Sequence, residues 1–100
     1  MTAFNIVRMR VKPGHVEEYL AVHRNRSIGD LPGMRALNVV QTGDRDFCVI
    51  GEWDNMEALA AARPQMIAIL DSFRDRLDDL GGGLGVTDPV SGQAVVTHEA

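Results

Sequence analysis

The sequence predicts an α+β domain of the ferredoxin-like type, with an antiparallel sheet built in the order β-α-β-β-α-β. Three observations carry that expectation. Four short stretches are rich in β-branched and aromatic residues. Other stretches repeat apolar residues at spacings of three and four. The two middle strand candidates are separated only by "GDR" (43–45), short enough for a hairpin. The chain reads as one domain, 1–100, with an irregular C-terminal segment 81–100. A domain of this size buries roughly 60–70% of the surface its unfolded chain exposes, enough for a thin core.

Taken in order, "FNIVRMRV" (4–11) is β-rich and runs into the turn signal "KPG". "HVEEYLAVHRNRS" (15–27) places Val16, Tyr19, Leu20 and His23 on one stripe, the period of a one-sided helix. "IGDLPG" breaks it, and "MRALNVVQT" (34–42) and "DFCVIGEW" (46–53) follow as strands. "DNMEALAAA" (54–62) reads as a short helix with Asp54 as cap and Glu57 reaching back. Pro64 should end it and open a second helix over 64–80, with Met66, Ile69, Leu70, Phe73, Leu77 and Leu80 on one side. "GQAVVTHE" (92–99) is the expected last strand.

Between the last two elements, "DDLGGGLGVTDPVSG" (78–92) raises the question of a phosphate loop. Such a loop follows a strand and opens a helix, where free N–H groups and a positive dipole end meet the anion. Here the glycines follow a predicted helix, beside Asp78 and Asp79 at a negative dipole end, so they are expected to cap it. The net charge of −4 disfavours nucleic acid as a partner, and no apolar run is long enough to span a membrane. The first residues resemble no export signal, and the lone Cys48 fits a reducing cytoplasm as a buried, inert thiol.

The strands are apolar on both sides. Val7, Met9 and Val11 alternate with Phe4 and Ile6; Leu37 and Val39 with Ala36 and Val40; Phe47, Val49 and Trp53 with Cys48 and Ile50. Helices cover one face only, and each large apolar group gains roughly 1.5–3 kcal/mol on burial. A second copy is the expected cover, giving a homodimer. Arg8, Arg10 and Lys12 could bind an anionic substrate, but salt bridges across that seam are the expectation.

Few residues suggest chemistry. His15 and His23 are too far apart along a helix to share a metal, and no chelating cluster exists, so no dedicated metal site is expected. Asp71, Asp75, Asp78 and Asp79 read as a solvated helix face. His23 lies on the apolar stripe of its helix and suits proton transfer, although a satisfied core histidine is the default. Asn5 shares the helix-facing side of its strand and, once buried, needs partners. Tyr19 could donate a hydroxyl, and Trp53 is either a core cap or an aromatic wall. No nucleophile–base–orienter set can be assembled.

The strand ending in "VKPG", the helix with "EEYL", the entry "LPGMRALNV" and the run "VIGEWDNMEAL" together resemble the antibiotic biosynthesis monooxygenase-like family of dimeric α+β barrels. The resemblance covers most of the chain and implies a pocket between sheet and helices. It also implies oxidation of a quinol or aromatic polyketide by O₂ without metal or flavin. Catalytic candidates are then His23, Asn5 and Tyr19, with Trp53, Val7, Met9, Met66 and Phe73 binding the substrate. Family members that degrade haem use an Asn, a Trp and a His, a pattern not met here. Aligned on "KPG", the Asn position falls on Val7, and the helix after Trp53 holds neither Trp nor His. The alternative is a non-catalytic dimer that binds a small apolar ligand or serves as an accessory subunit.

Overall fold

The computed structural model describes residues 1–100. Its elements are β1 (Ala3–Arg10), α1 (Val16–Asn25), β2 (Met34–Gln41), β3 (Asp46–Trp53), α2 (Met56–Asp71) and β4 (Asp88–Gln93). The strands form one antiparallel sheet in the order β2-β3-β1-β4, so the fold is the expected ferredoxin-like α+β arrangement. β1 and β3 occupy the centre, paired from Ala3 opposite Trp53 to Arg10 opposite Asp46. No helix is long and apolar enough to cross a membrane.

The pleat sorts side chains as the alternation requires. Met9, Val11, Phe47 and Val49 face the helices and are buried with Tyr19, Phe73 and Leu77. A second buried cluster joins Ala3 and Trp53 to Leu31, Leu59 and Ala62. On the opposite face, Ile6, Val40 and Val90 are 37%, 41% and 59% exposed, an apolar band across three strands. Cys48 also lies on this face and is only half-buried, so it is not the core thiol its strand-like run suggested. The basic residues of the first strand do not await a partner. Arg8 pairs with Asp88 at 3.3 Å, Arg10 with Asp46 at 2.7 Å, and Lys12 Nζ donates to the Asp75 carbonyl at 2.8 Å.

The second helix differs from the sequence expectation in three respects. A single helix, α2, runs through Pro64. Proline inside a helix costs about 3 kcal/mol, but Leu59, Ala62, Met66 and Ile69 form one continuous stripe against the sheet. The cap is Asn55, whose side chain accepts from the Ala58 N–H at 2.8 Å, rather than Asp54. The helix stops at Asp71, not Leu80. Ser72 Oγ donates to the Ile69 carbonyl, and a 3-10 turn (Arg74–Arg76) follows. Beyond it Lys12 N–H donates to the Arg76 carbonyl and Asp78 N–H to the Arg10 carbonyl, both at 2.8 Å, so this stretch pairs with the end of β1. Phe73 and Leu77 are buried as their stripe implied, but by non-helical backbone. The four aspartates therefore do not share a helix face: Asp71 pairs with Arg74, Asp75 with Arg76 and Asp78 with Arg45, while Asp79 accepts the Gly81 N–H.

The glycines do not cap the helix either. Gly81, Gly82, Gly83 and Gly85 all have positive φ, which favours glycine, but they form a loop closed by Leu80 N–H to Gly85 O at 2.7 Å. The next element is β4, so the phosphate-loop context is absent. β4 uses "DPVSGQ", within the segment expected to be irregular; as an edge strand it tolerates Pro89. The expected strand residues Val95 and Val96 stay 82% and 74% exposed. β1 begins at Ala3, so after Ala94 N–H meets the Thr2 carbonyl no ladder remains to extend.

Candidate functional site

The two buried clusters do not meet completely. Between them lies a cavity of about 330 Å³, floored by the sheet and roofed by the helices. Asn5, Val7 and Met9 of β1, Leu37 of β2 and Val49 of β3 form the floor. His23 and Arg26 come from the end of α1, Leu59, Arg63, Met66, Ile67, Ile69 and Leu70 from α2, and Phe73 from just beyond it. Thr87, Pro89 and Ser91 close the β4 side. The lining is mainly apolar, with a few polar groups on top of it, the usual composition of a small-molecule site.

Of the residues the sequence singled out, Asn5, His23, Val7, Met9, Met66 and Phe73 all line this cavity. Trp53 and Tyr19 do not. Trp53 is fully buried behind the floor, because its place at the end of β3 sets it beneath the start of α2, with Leu59 and Ala62. It is a core residue, not an aromatic wall, and it touches the site through Asn5: Trp53 Nε1 donates to Asn5 Oδ1 at 2.7 Å. With Oδ1 so occupied, the group Asn5 can offer a ligand is its amide N–H₂. The bond is possible because Gly51 stands directly opposite Asn5. A Cβ on Gly51 would overlap Asn5 Oδ1 and lie 3.0 Å from Trp53 Nε1.

Tyr19 is likewise committed to the interior. Its hydroxyl donates to Met9 Sδ at 3.1 Å, and burial pushes its phenol well above the ordinary value. A proton-transfer role for Tyr19 is therefore replaced by a packing one. Its ring supports His23, whose centroid lies 4.7 Å away, edge to face. Phe73 packs on the same imidazole at 5.4 Å.

His23 is held neutral. Burial first, and the Arg26 charge second, lower its pKa from 6.5 to about 4. Arg26 Nη1 lies 3.5 Å from His23 Nδ1, at the long end of hydrogen-bond range. A guanidinium only donates, so a hydrogen bond across this contact requires Nδ1 to accept and the ring proton to sit on Nε2. That Nε2 is buried without a partner in the fold, as is Nε of Arg26. Neither Arg26 nor Arg63 was singled out from the sequence. Arg26 was findable, since it continues the stripe of His23 by three residues; Arg63 sits exposed on α2 and carried no signal.

Comparisons with known proteins agree with this architecture. The family model for antibiotic biosynthesis monooxygenases matches residues 2–65. No curated protein sequence matches the chain. Among solved structures, SnoaB from Streptomyces nogalater, a cofactor-independent oxygenase seen as a point mutant, is 15% identical with a TM-score of 0.73. The alignment covers 96% of this chain and 95% of that one. Rv0793 from Mycobacterium tuberculosis is 12% identical over 99% of this chain and 100% of its own, with a TM-score of 0.76. A conserved protein from Methanosarcina mazei Go1 is 17% identical, covering 93% and 92%, with a TM-score of 0.74.

Two outcomes are expected. Gly51→Ala forces Asn5 off Trp53 and should destabilise the fold by about 1–3 kcal/mol in thermal unfolding. Gly92→Ala, whose Cβ meets nothing within 4 Å, should not. The lowered pKa of His23 also predicts a pH dependence. Between its folded value of about 4 and its ordinary 6.5, the unfolded chain binds a proton that the folded chain refuses. Stability from this group is thus complete above 6.5 and is lost as pH falls toward 4. Denaturant midpoints across that window should fall in wild type and fall less in His23→Leu.

Proposed function

The chain belongs to the antibiotic biosynthesis monooxygenase family, and from that premise we propose a cofactor-independent oxygenase acting on a quinol or aromatic polyketide-like molecule. The observation that carries this reading is the Asn5 amide, held by Trp53 with its N–H₂ free, at the floor of an apolar cavity of about 330 Å³. SnoaB, of the same fold, is a cofactor-independent oxygenase, which supports the reaction class.

In the proposed reaction the substrate supplies the electrons. A phenolate transfers one electron to O₂, and the resulting pair joins to form a carbon–oxygen bond at a ring carbon. Loss of that carbon's proton and departure of water then leave a carbonyl, so a phenol and O₂ give a quinone and water. The chain's part is to keep water from the radical pair and to place donors where negative charge develops on oxygen. Asn5 donates to the substrate oxygen or to the bound oxygen. His23, neutral with its proton on Nε2, donates as well and is no general base. A second reading, a binding protein without turnover, is favoured by the weakness of the one imidazole in the cavity as a base, its pKa lowered to about 4.

We further propose that the apolar band of Ile6, Ile50, Val40 and Val90 is covered by a second copy, as a twofold dimer. With Arg8 and Arg10 paired inside their own chain, the apolar side chains would supply the contact.

Aerobic assays over a panel of hydroquinones and anthrones with ¹⁸O₂ should show O₂ consumption with one labelled oxygen in the quinone product and the other in water. Asn5→Ala should lower the rate by about tenfold or more; equal rates would remove Asn5 from the chemistry. Sedimentation at low micromolar concentration should give twice the 10.9 kDa chain mass, and Ile6→Arg should move the species toward the single chain.

A further inference from the structure

Charge is distributed unevenly over this molecule. Arg8, Arg10, Arg24, Arg35, Arg45, Arg74 and Arg76 are each paired with a carboxylate. Arg26 and Arg63 have no such pairing, and both of them line the cavity, whose lining includes no Asp or Glu. Arg26 is half-buried, with its Nε enclosed and unpartnered. The groups around it are the neutral imidazole of His23 and the protonated phenol of Tyr19 from α1, with the Arg63 cation across on α2. None of these neutralises it.

The hydrogen-bonding groups of the lining have the same bias. Asn5 retains its N–H₂, His23 its Nε2 proton and the two guanidiniums only donors; Thr87 and Ser91 can turn either way. A cavity so furnished favours a ligand that is large, flat and apolar but carries a negatively charged acceptor. A guanidinium out of bulk water binds an oxyanion more strongly than a neutral hydroxyl, and an unpaired buried cation loses solvation until an anion arrives.

We propose that the cavity takes its ligand as an oxyanion, the phenolate or enolate of an aromatic compound, and that Arg26 is the residue that selects this ionised form. The proposal deepens the oxygenase reading and rests on it for the choice of an aromatic hydroxyl compound. It also supplies what that reading lacks. No residue of the cavity is placed to remove a proton, and none is required where the site stabilises the anion of an acidic hydroxyl and the proton leaves to solvent. The phenolate is the form that can give an electron to O₂, so Arg26 would act by binding the reactive ionisation state.

The test uses binding rather than turnover. 4-Nitro-1-naphthol, whose phenolate absorbs in the visible, is titrated against the wild-type protein without oxygen, beside its O-methyl ether. The naphthol should bind at least about tenfold more tightly than the ether. Its ionisation midpoint should fall by about one unit when bound, the same tenfold expressed as a pKa. Arg26→Gln should abolish both effects and Arg26→Lys should retain most of the midpoint shift; circular dichroism establishes that each variant is folded. Equal binding of naphthol and ether, or an unmoved midpoint in the wild type, would overturn the proposal without any variant being needed. Because the probe experiment excludes O₂, it stands or falls separately from the oxygenase assay. Anion selection without quinone formation would defeat the oxygenase reading alone, and turnover without anion selection would defeat this one.

Discussion

The register between β1 and β3 is the constraint on which the rest depends. Asn5 faces Gly51 across the centre of the sheet, and only a residue without a side chain lets the amide lie across its neighbour to reach Trp53. A slip by one residue would turn every side chain of β1 over and send Asn5, Val7 and Met9 to the uncovered face. The same pairing seats Met9 next to Phe47 and beneath Tyr19, which in turn backs the imidazole of His23. Floor and roof of the cavity thus share one alignment, and the polar groups within it are held by packing on residues that never touch a ligand.

The cavity exists because α1 and α2 cover the sheet incompletely. α1 packs over the cluster of Met9, Phe47 and Tyr19, while α2 packs over that of Trp53 and Leu59 and reaches the first through Ile69 and Leu70; the gap left is lined by apolar atoms interrupted by a few donors. Desolvation then decides the chemistry of those donors. In water an imidazole at neutral pH is available as base or acid; enclosed by Tyr19 and Phe73 and next to a cation, His23 refuses its second proton. The site therefore presents a weak base and two guanidiniums without a carboxylate among its lining residues.

Much of this was legible from residues alone. The succession of elements followed from β-rich runs punctuated by "KPG", "LPG" and "GDR", and pleat parity placed Asn5, Val7 and Met9 under the helices. Helix periodicity likewise brought His23 and Met66 to the same side, and Phe73 joins them although the helix ends before it. Boundaries were less legible, since they depend on competition between backbone partners. Pro64 reads as a breaker until a continuous apolar stripe outweighs the lost hydrogen bond. The segment after Asp71 reads as helix until the end of β1 takes its N–H and C=O groups. The last strand begins earlier than its valines suggest, because an edge strand can extend only as far as β1 does.

The sequence by itself determined the fold class, the two-sided character of the sheet and which residues of β1, α1 and α2 face inward, since these follow from periods of two and 3.6 along a continuous chain. Tertiary structure alone decided that Trp53 and Tyr19 stand behind the cavity rather than in it. It also decided that His23 is buried and held neutral, and that Arg26 and Arg63 are left without counter-charges while every other arginine finds one. Pairing and desolvation depend on distances between residues far apart in sequence, and no local pattern encodes them.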